Sequence, residues 1–157
     1  MNQYQRPRSK FELAHDNFVF DEWPFYNMSR LISIYHRRLD AVLKPIGIDT
    51  PRWRVLSILG KRGTATVTQI SDEAATMIST TAKIIRRMVA QELVSTSVSQ
   101  KDARSIEVSL TPHGRQTLDI ALRKVDTVAA RAFMGIAEDD IDLMNKLTKQ
   151  MYEQLEH

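Results

Sequence analysis

The sequence predicts a mainly α-helical chain broken once by a small β-hairpin, and three observations predict it. Five glycines and five prolines fall mostly at joints between long runs of three- and four-residue apolar spacing. One stretch, Val94 to Leu110, alternates with a period of two. The 157 residues are 43% hydrophobic, enough for one buried core.

Residues 1–20 open with Arg6, Arg8 and Lys10 and are expected to form a basic, flexible arm. From about Phe25 to Leu43, Met28, Leu31, Ile32, Tyr35, Leu39, Val42 and Leu43 form the stripe of an amphipathic helix, which Pro45 and Gly47 close. Thr50-Pro51 reads as an N-cap followed by proline at the first helical position, and Trp53, Leu56 and Leu59 carry a short second helix to Gly60. Thr66 and Gln69 have the spacing of a capping box, so a third helix is expected from Val67 to about Ala75.

After a break at Thr76-Met77-Ile78, Ser79 to Gln91 is again helical. Thr81, Ile84, Ile85 and Met88 turn inward and Lys83, Arg86 and Arg87 fall outside that stripe. Val94, Thr96 and Val98 then alternate with Ser95, Ser97 and Ser99, and Ile106, Val108 and Leu110 return, making a hairpin whose tip is Gln100-Lys101-Asp102-Ala103-Arg104. Thr111-Pro112 repeats the cap-plus-proline signal and opens a long helix through Leu118, Leu122, Val125 and Phe133, ended by Gly135. The last helix carries Glu138, Asp139 and Asp140 in its first turn, where the helix dipole favours them. Ile141, Met144, Thr148, Met151 and Leu155 step by 3, 4, 3 and 4, close to a coiled-coil seam, so Ile141, Met144, Met151 and Leu155 are candidate dimerisation residues.

The formal net charge is only +3, but it is unevenly distributed. Between Thr76 and Arg104 five basic residues stand against two acidic ones; between Phe133 and His157 six acidic residues stand against two lysines. One region is suited to phosphate and another is not. The absence of cysteine excludes disulfides, thiolate metal sites and thiol chemistry. No glycine-rich phosphate loop, HExxH or G-x-S-x-G occurs, and His15, His36, His113 and His157 lack metal-ligand spacing, so neither catalysis nor a metal or cofactor is expected. No signal-peptide core or membrane-spanning apolar run is present, and a cytoplasmic, membrane-free protein is expected.

Two short helices joined by a tight turn form a helix-turn-helix, which exposes the N-terminal half of its second helix to a major groove. Here that half carries Ser79, Thr80, Lys83 and Arg87, with Arg86 adding a further cation. Hydroxyls and cations can bond bases or phosphates. At the hairpin tip, Lys101 and Arg104 sit at the end of a lever from which an arginine can enter a narrow minor groove, with Asp102 holding its direction.

Asp102-Ala103-Arg104 followed by Val108-Ser109-Leu110-Thr111-Pro112-His113-Gly114 resembles the wing signature of the MarR family of bacterial regulators. Gly47-Ile48-Asp49-Thr50-Pro51-Arg52-Trp53 resembles that family's joint between the first two helices, and Ser79-Thr80-Thr81 the start of its recognition helix; the likeness covers roughly residues 25 to 155. It implies a winged helix-turn-helix at 48–111, flanked by a helix at 21–47 and C-terminal helices at 112–157 that together form a dimerisation region. It further implies a homodimer that binds double-stranded DNA as a repressor, at a near-palindromic operator with half-sites about 10 to 10.5 base pairs apart. Where many members carry arginine mid-way along the recognition helix, this chain has Lys83, which lacks the bidentate fork.

The resemblance also implies release from DNA by a small aromatic carboxylate or similar anion. Candidate contacts are Tyr26, Arg30 and His36 on the first helix and Trp53 on the second. The competing reading is a winged-helix module used for protein contacts alone.

Overall fold

The computed structural model of the chain describes residues 11, 13, 16–99 and 104–156. Residues 1–10, 12, 14 and 15 of the expected basic arm, with Arg6, Arg8 and Lys10 among them, and the wing-tip residues 100–103, with Lys101 and Asp102 among them, lie outside the described residues.

Among the described residues six α-helices and three β-strands follow one another as α1 (Pro24–Leu43), α2 (Thr50–Arg62), β1 (Thr64–Thr66), α3 (Val67–Glu73), α4 (Ile78–Ala90), β2 (Val94–Val98), β3 (Ile106–Leu110), α5 (Pro112–Ala132) and α6 (Glu138–Glu156). The strands form one antiparallel sheet in the order β1-β3-β2. Strand β1 is a finding the sequence did not predict, because three residues are too short to display alternation. It is held by register instead, Ala65 lying opposite Val108 on one side of β3 while Thr96 lies opposite it on the other. Ala65 and Val108 are both buried, so the sheet turns one face onto the helices.

The core gathers Leu39 and Leu43 of α1, Leu56 and Leu59 of α2, Ile70 of α3, Met88 of α4 and Leu118 of α5. Each such side chain fully withdrawn from water contributes about 1.5–3 kcal/mol. Only the C-terminal end of α1 takes part. Leu31, Ile32 and Ile34 remain about half exposed, as does Leu122 of α5. Helix α6 contains no buried residue at all.

Capping residues set the joints. The Thr66 hydroxyl accepts from the Gln69 amide and the Gln69 side chain accepts from the Thr66 amide, the expected capping box. Thr111 caps α5 through the Gly114 amide. The cap of α2 lies one residue earlier than the sequence reading: Asp49, not Thr50, accepts from the Arg52 amide at 3.0 Å. Thr50 is buried and spends its amide and hydroxyl on Asp40 Oδ1, at 3.0 and 2.7 Å, which fastens α2 to α1. A carboxylate accepts at an N-terminus more strongly than a hydroxyl. The Asp49 pKa reflects this. Burial raises it, but the hydrogen bonds from the Arg52 side chain and amide, together with the Arg52 charge, outweigh that and hold it below the ordinary carboxylate value.

Candidate nucleic-acid interface

Helix α4 is steeply amphipathic. Thr81, Ile85 and Met88 are buried, whereas Ser79, Thr80, Lys83, Arg86 and Arg87 are all exposed. The outer face carries three cations and no acid along thirteen residues. Of the anchors that aim this helix, the first is its packing on α2 through Met88 and Ile85. A second is polar: Arg52 Nη1 donates to Gln91 Oε1 at 2.7 Å, tying the first turn of α2 to the residue that caps α4. Thr80 and Arg87 thereby line one shallow surface with Asp49 and Arg52.

The turn between α3 and α4 is a Schellman arrangement. The Thr76 amide donates to the Ser71 carbonyl at 3.0 Å and the Ala75 amide to the Asp72 carbonyl at 3.1 Å, with Ala75 in the left-handed region at φ 49°. Glycine is the usual occupant of that position, so an alanine there is held by the surrounding bonds at a cost of about 1–2 kcal/mol. The N-cap of α4, Met77, makes no side-chain cap bond and is 74% exposed, and with exposed Ile78 it leaves an apolar spot beside the polar face.

Strands β2 and β3 project beyond the core. Val94 and Val108 are buried at the base, whereas Val98 and Ile106 are exposed toward the far end, where the Ser99 amide donates to the Ser105 carbonyl at 2.8 Å. Ser99 also donates to Glu107 Oε1 at 2.7 Å. Arg104 is exposed just beyond this closure. The hairpin therefore has the shape the sequence predicts.

The four candidate ligand contacts are not gathered into one pocket. Tyr26 packs against the Phe20 ring, with centroids 4.3 Å apart, and Arg30 lies over the Tyr26 ring at 5.3 Å. Trp53 is half-buried against the core. His36 instead lines a cavity of about 280 Å³ bounded by α1, α2 and α4, with Asp40, Thr50, Arg54, Thr76, Thr80 and Thr81 among its walls. Neither Tyr26, Arg30 nor Trp53 belongs to that lining.

Arg54 is the charged residue the sequence reading passed over. It lies on the same helical stripe as buried Thr50 and Ile58, four residues from each, and an arginine at such an inward position was the signal that could have found it. Its Nη1 donates to the Ala74 carbonyl at 2.9 Å and its Nη2 lies 3.4 Å from His36 Nε2.

The dimerisation candidates lie on α6 as predicted in spacing. Met144 and Leu155 are exposed and Ile141 and Met151 half-buried, alongside exposed Leu143, Leu147 and Tyr152. Among the described residues no group of three or more His, Asp or Glu could hold a metal ion, and no helix is long and apolar enough to cross a membrane.

Comparison with known proteins agrees with this geometry. Residues 48–106 match the model of the MarR family. Over 152 residues the chain is 32% identical to the HTH-type transcriptional repressor IacR of Pseudomonas putida, covering 97% of this chain and 91% of that protein. A MarR family transcriptional regulator from Silicibacter pomeroyi superposes with a TM-score of 0.78 at 25% identity, over 89% of this chain and 93% of that one. CouR from Rhodococcus jostii RHA1, solved bound to p-coumaroyl-CoA, has the same fold with a TM-score of 0.79 at 18% identity, over 85% and 94% of the two chains. The cationic α4, the hairpin beside it, the match at 48–106 and the near full-length likeness to a transcriptional repressor lead to one conclusion: this chain is a winged helix-turn-helix transcriptional regulator belonging to the MarR family.

Proposed function

We propose that the chain is a repressor that binds a near-palindromic operator in double-stranded DNA as a homodimer. The observation that carries this reading is the outer face of α4, where Ser79, Thr80, Lys83, Arg86 and Arg87 stand exposed with no acidic neighbour on the helix. Cations placed so can release counterions from phosphates, and hydroxyls at the N-terminal end can reach base edges. In this reading the wing reaches the adjacent minor groove through Arg104, with Lys101 and Asp102 as the further contacts the sequence predicts. Repression agrees with the description of the Pseudomonas putida relative. A protein-interaction module would have no use for this concentration of cations.

A second copy supplies the partner. Among the described residues, the α6 stripe Ile141, Met144, Met151 and Leu155 has no fully buried member, and a groove of about 530 Å³ between α1 and α5 is lined by Leu31, Ile34, Tyr35, Arg38, Val42 and Arg131. The acidic residues of α6 complement those arginines.

The effector in this reading is a small aromatic carboxylate. Arg30 over the Tyr26 ring, His36 in the cavity between α1, α2 and α4, and Trp53 are its proposed contacts; CouR, of like fold, was solved bound to p-coumaroyl-CoA. It acts by preferring a lobe spacing that does not fit successive major grooves.

Selection of bound DNA from random fragments, followed by affinity measurement against salt, tests the reading. A short inverted repeat should emerge, with log K falling by about 0.9 per phosphate neutralised for each unit of log salt. Equal binding to all sequences at low salt would overturn it.

A further inference from the structure

We propose that Arg54 is a positioning residue for operator binding, the middle link of a polar chain that fixes the recognition helix to α1. The proposal rests on the DNA-binding reading above.

The chain can be followed atom by atom. In the Schellman turn that ends α3, the carbonyls of Ser71 and Asp72 are taken by the amides of Thr76 and Ala75. The Ala74 carbonyl receives Arg54 Nη1 from α2 at 2.9 Å. Arg54 Nη2 faces His36 Nε2 on α1 at 3.4 Å. A guanidinium can only donate, so in this contact the acceptor is His36 Nε2. Beyond the turn, Thr76 Oγ1 lies 2.8 Å from Thr81 Oγ1, and Thr81 is buried on the inner face of α4 one residue after Thr80.

Four elements thus meet in sequence: α1 through His36, α2 through Arg54, the end of α3 through Ala74, and α4 through the Thr76–Thr81 pair. The same residues wall the 280 Å³ cavity. Because Ala75 sits at φ 49° without being glycine, the turn is intrinsically disfavoured and rests on its two backbone bonds together with the Arg54 donation to Ala74. Removing Arg54 frees the Ala74 carbonyl and lets the turn relax, which moves Ser79, Thr80 and Lys83 relative to the first helix. The core under α4, built on Ile85 and Met88, does not involve these bonds and keeps the lobe folded.

Arg54→Met, His36→Leu and Thr76→Val are compared with the conservative His36→Gln and Thr76→Ser, which keep a neutral acceptor and a hydroxyl. Each full-length variant is measured for affinity to the selected operator, affinity to unrelated DNA, and thermal midpoint. The first three are expected to lose about tenfold in operator affinity while holding unrelated DNA as before, the conservative pair to remain near the wild type, and Arg54→Met with His36→Leu to lose less together than the sum of their separate losses. Operator affinity unchanged in Arg54→Met, or losses in operator and unrelated DNA that follow the thermal midpoint, would overturn the proposal. A wild-type protein without operator preference would instead sink the DNA-binding reading on which it stands.

Discussion

The Leu93 carbonyl occupies the place where a Cβ on Gly114 would be, 1.8 Å from its ideal position. That carbonyl also accepts from the Thr111 amide at 3.1 Å, so the start of β2 and the first turn of α5 are pressed together backbone to backbone. Gly114→Ala forces the two apart and should destabilise the fold by about 2–3 kcal/mol, the upper part of the overpacking range in a closed interior. Chemical denaturation checks it; a loss under about 0.5 kcal/mol would mean the contact is looser than it stands.

Stability should carry an acid limb from Asp49. Its folded pKa lies below the ordinary value of 3.8, so its contribution is present above that value and is lost as pH falls through the folded pKa. Asp49→Asn keeps a capping side chain but removes the charge. The stability difference between wild type and this variant should therefore be constant near neutrality and shrink below pH 3.8. Parallel curves across the acid range would exclude the carboxylate as the source.

Arg104→Ala should weaken operator binding by about tenfold, on the scale of one lost charge-assisted contact, without changing the thermal midpoint. Lys83→Ala should reduce the salt slope by about 0.9 if the lysine meets phosphate, and leave it unaltered if it meets a base. Gel-shift or anisotropy titrations at several salt concentrations separate these results, and an Arg104 variant with wild-type affinity removes the wing from the mechanism.

A double variant, Met151→Glu with Leu155→Glu, should yield a monomer by sedimentation. Its helical lobe should remain folded, since α6 has no buried residue within its own chain. Operator affinity should fall as dimerisation is lost, because one lobe reaches only one half-site. A dimer that persists would move the interface away from the α6 seam.

Aromatic carboxylates that release the operator should lose potency in Arg30→Ala and in His36→Leu by different amounts, because the two residues lie at separate surfaces. Titration of the carboxylate into the DNA-free protein distinguishes the contributions, because His36→Leu is itself expected to weaken operator binding. Full potency in both variants would exclude the two residues as effector contacts.

Much of the fold was legible because its signals are local. The capping box of Thr66 and Gln69, the Thr111-Pro112 start of α5 and the period-two run at Val94 depend on neighbours in the chain, and each stands where the sequence reading put it. The candidate interface was legible for the same reason: Lys83, Arg86 and Arg87 fall outside a helical stripe that Thr81, Ile84, Ile85 and Met88 define. The cap of α2 was misplaced because Asp49 and Thr50 are both good caps locally, and only the distant Asp40 claims Thr50.

By itself the sequence determined the helices, the hairpin and the polarity of their faces, since hydrophobic periodicity and capping act over a few residues. Tertiary structure alone decided the β1 pairing, the 1.8 Å approach at Gly114, the dispersal of Tyr26, Arg30, His36 and Trp53, and the path from His36 through Arg54 to Ala74. Those relations join residues whose separation along the chain carries no record of their distance in space. They form only once the core brings α1, α2 and the turn before α4 together and leaves each buried polar group to find its partner.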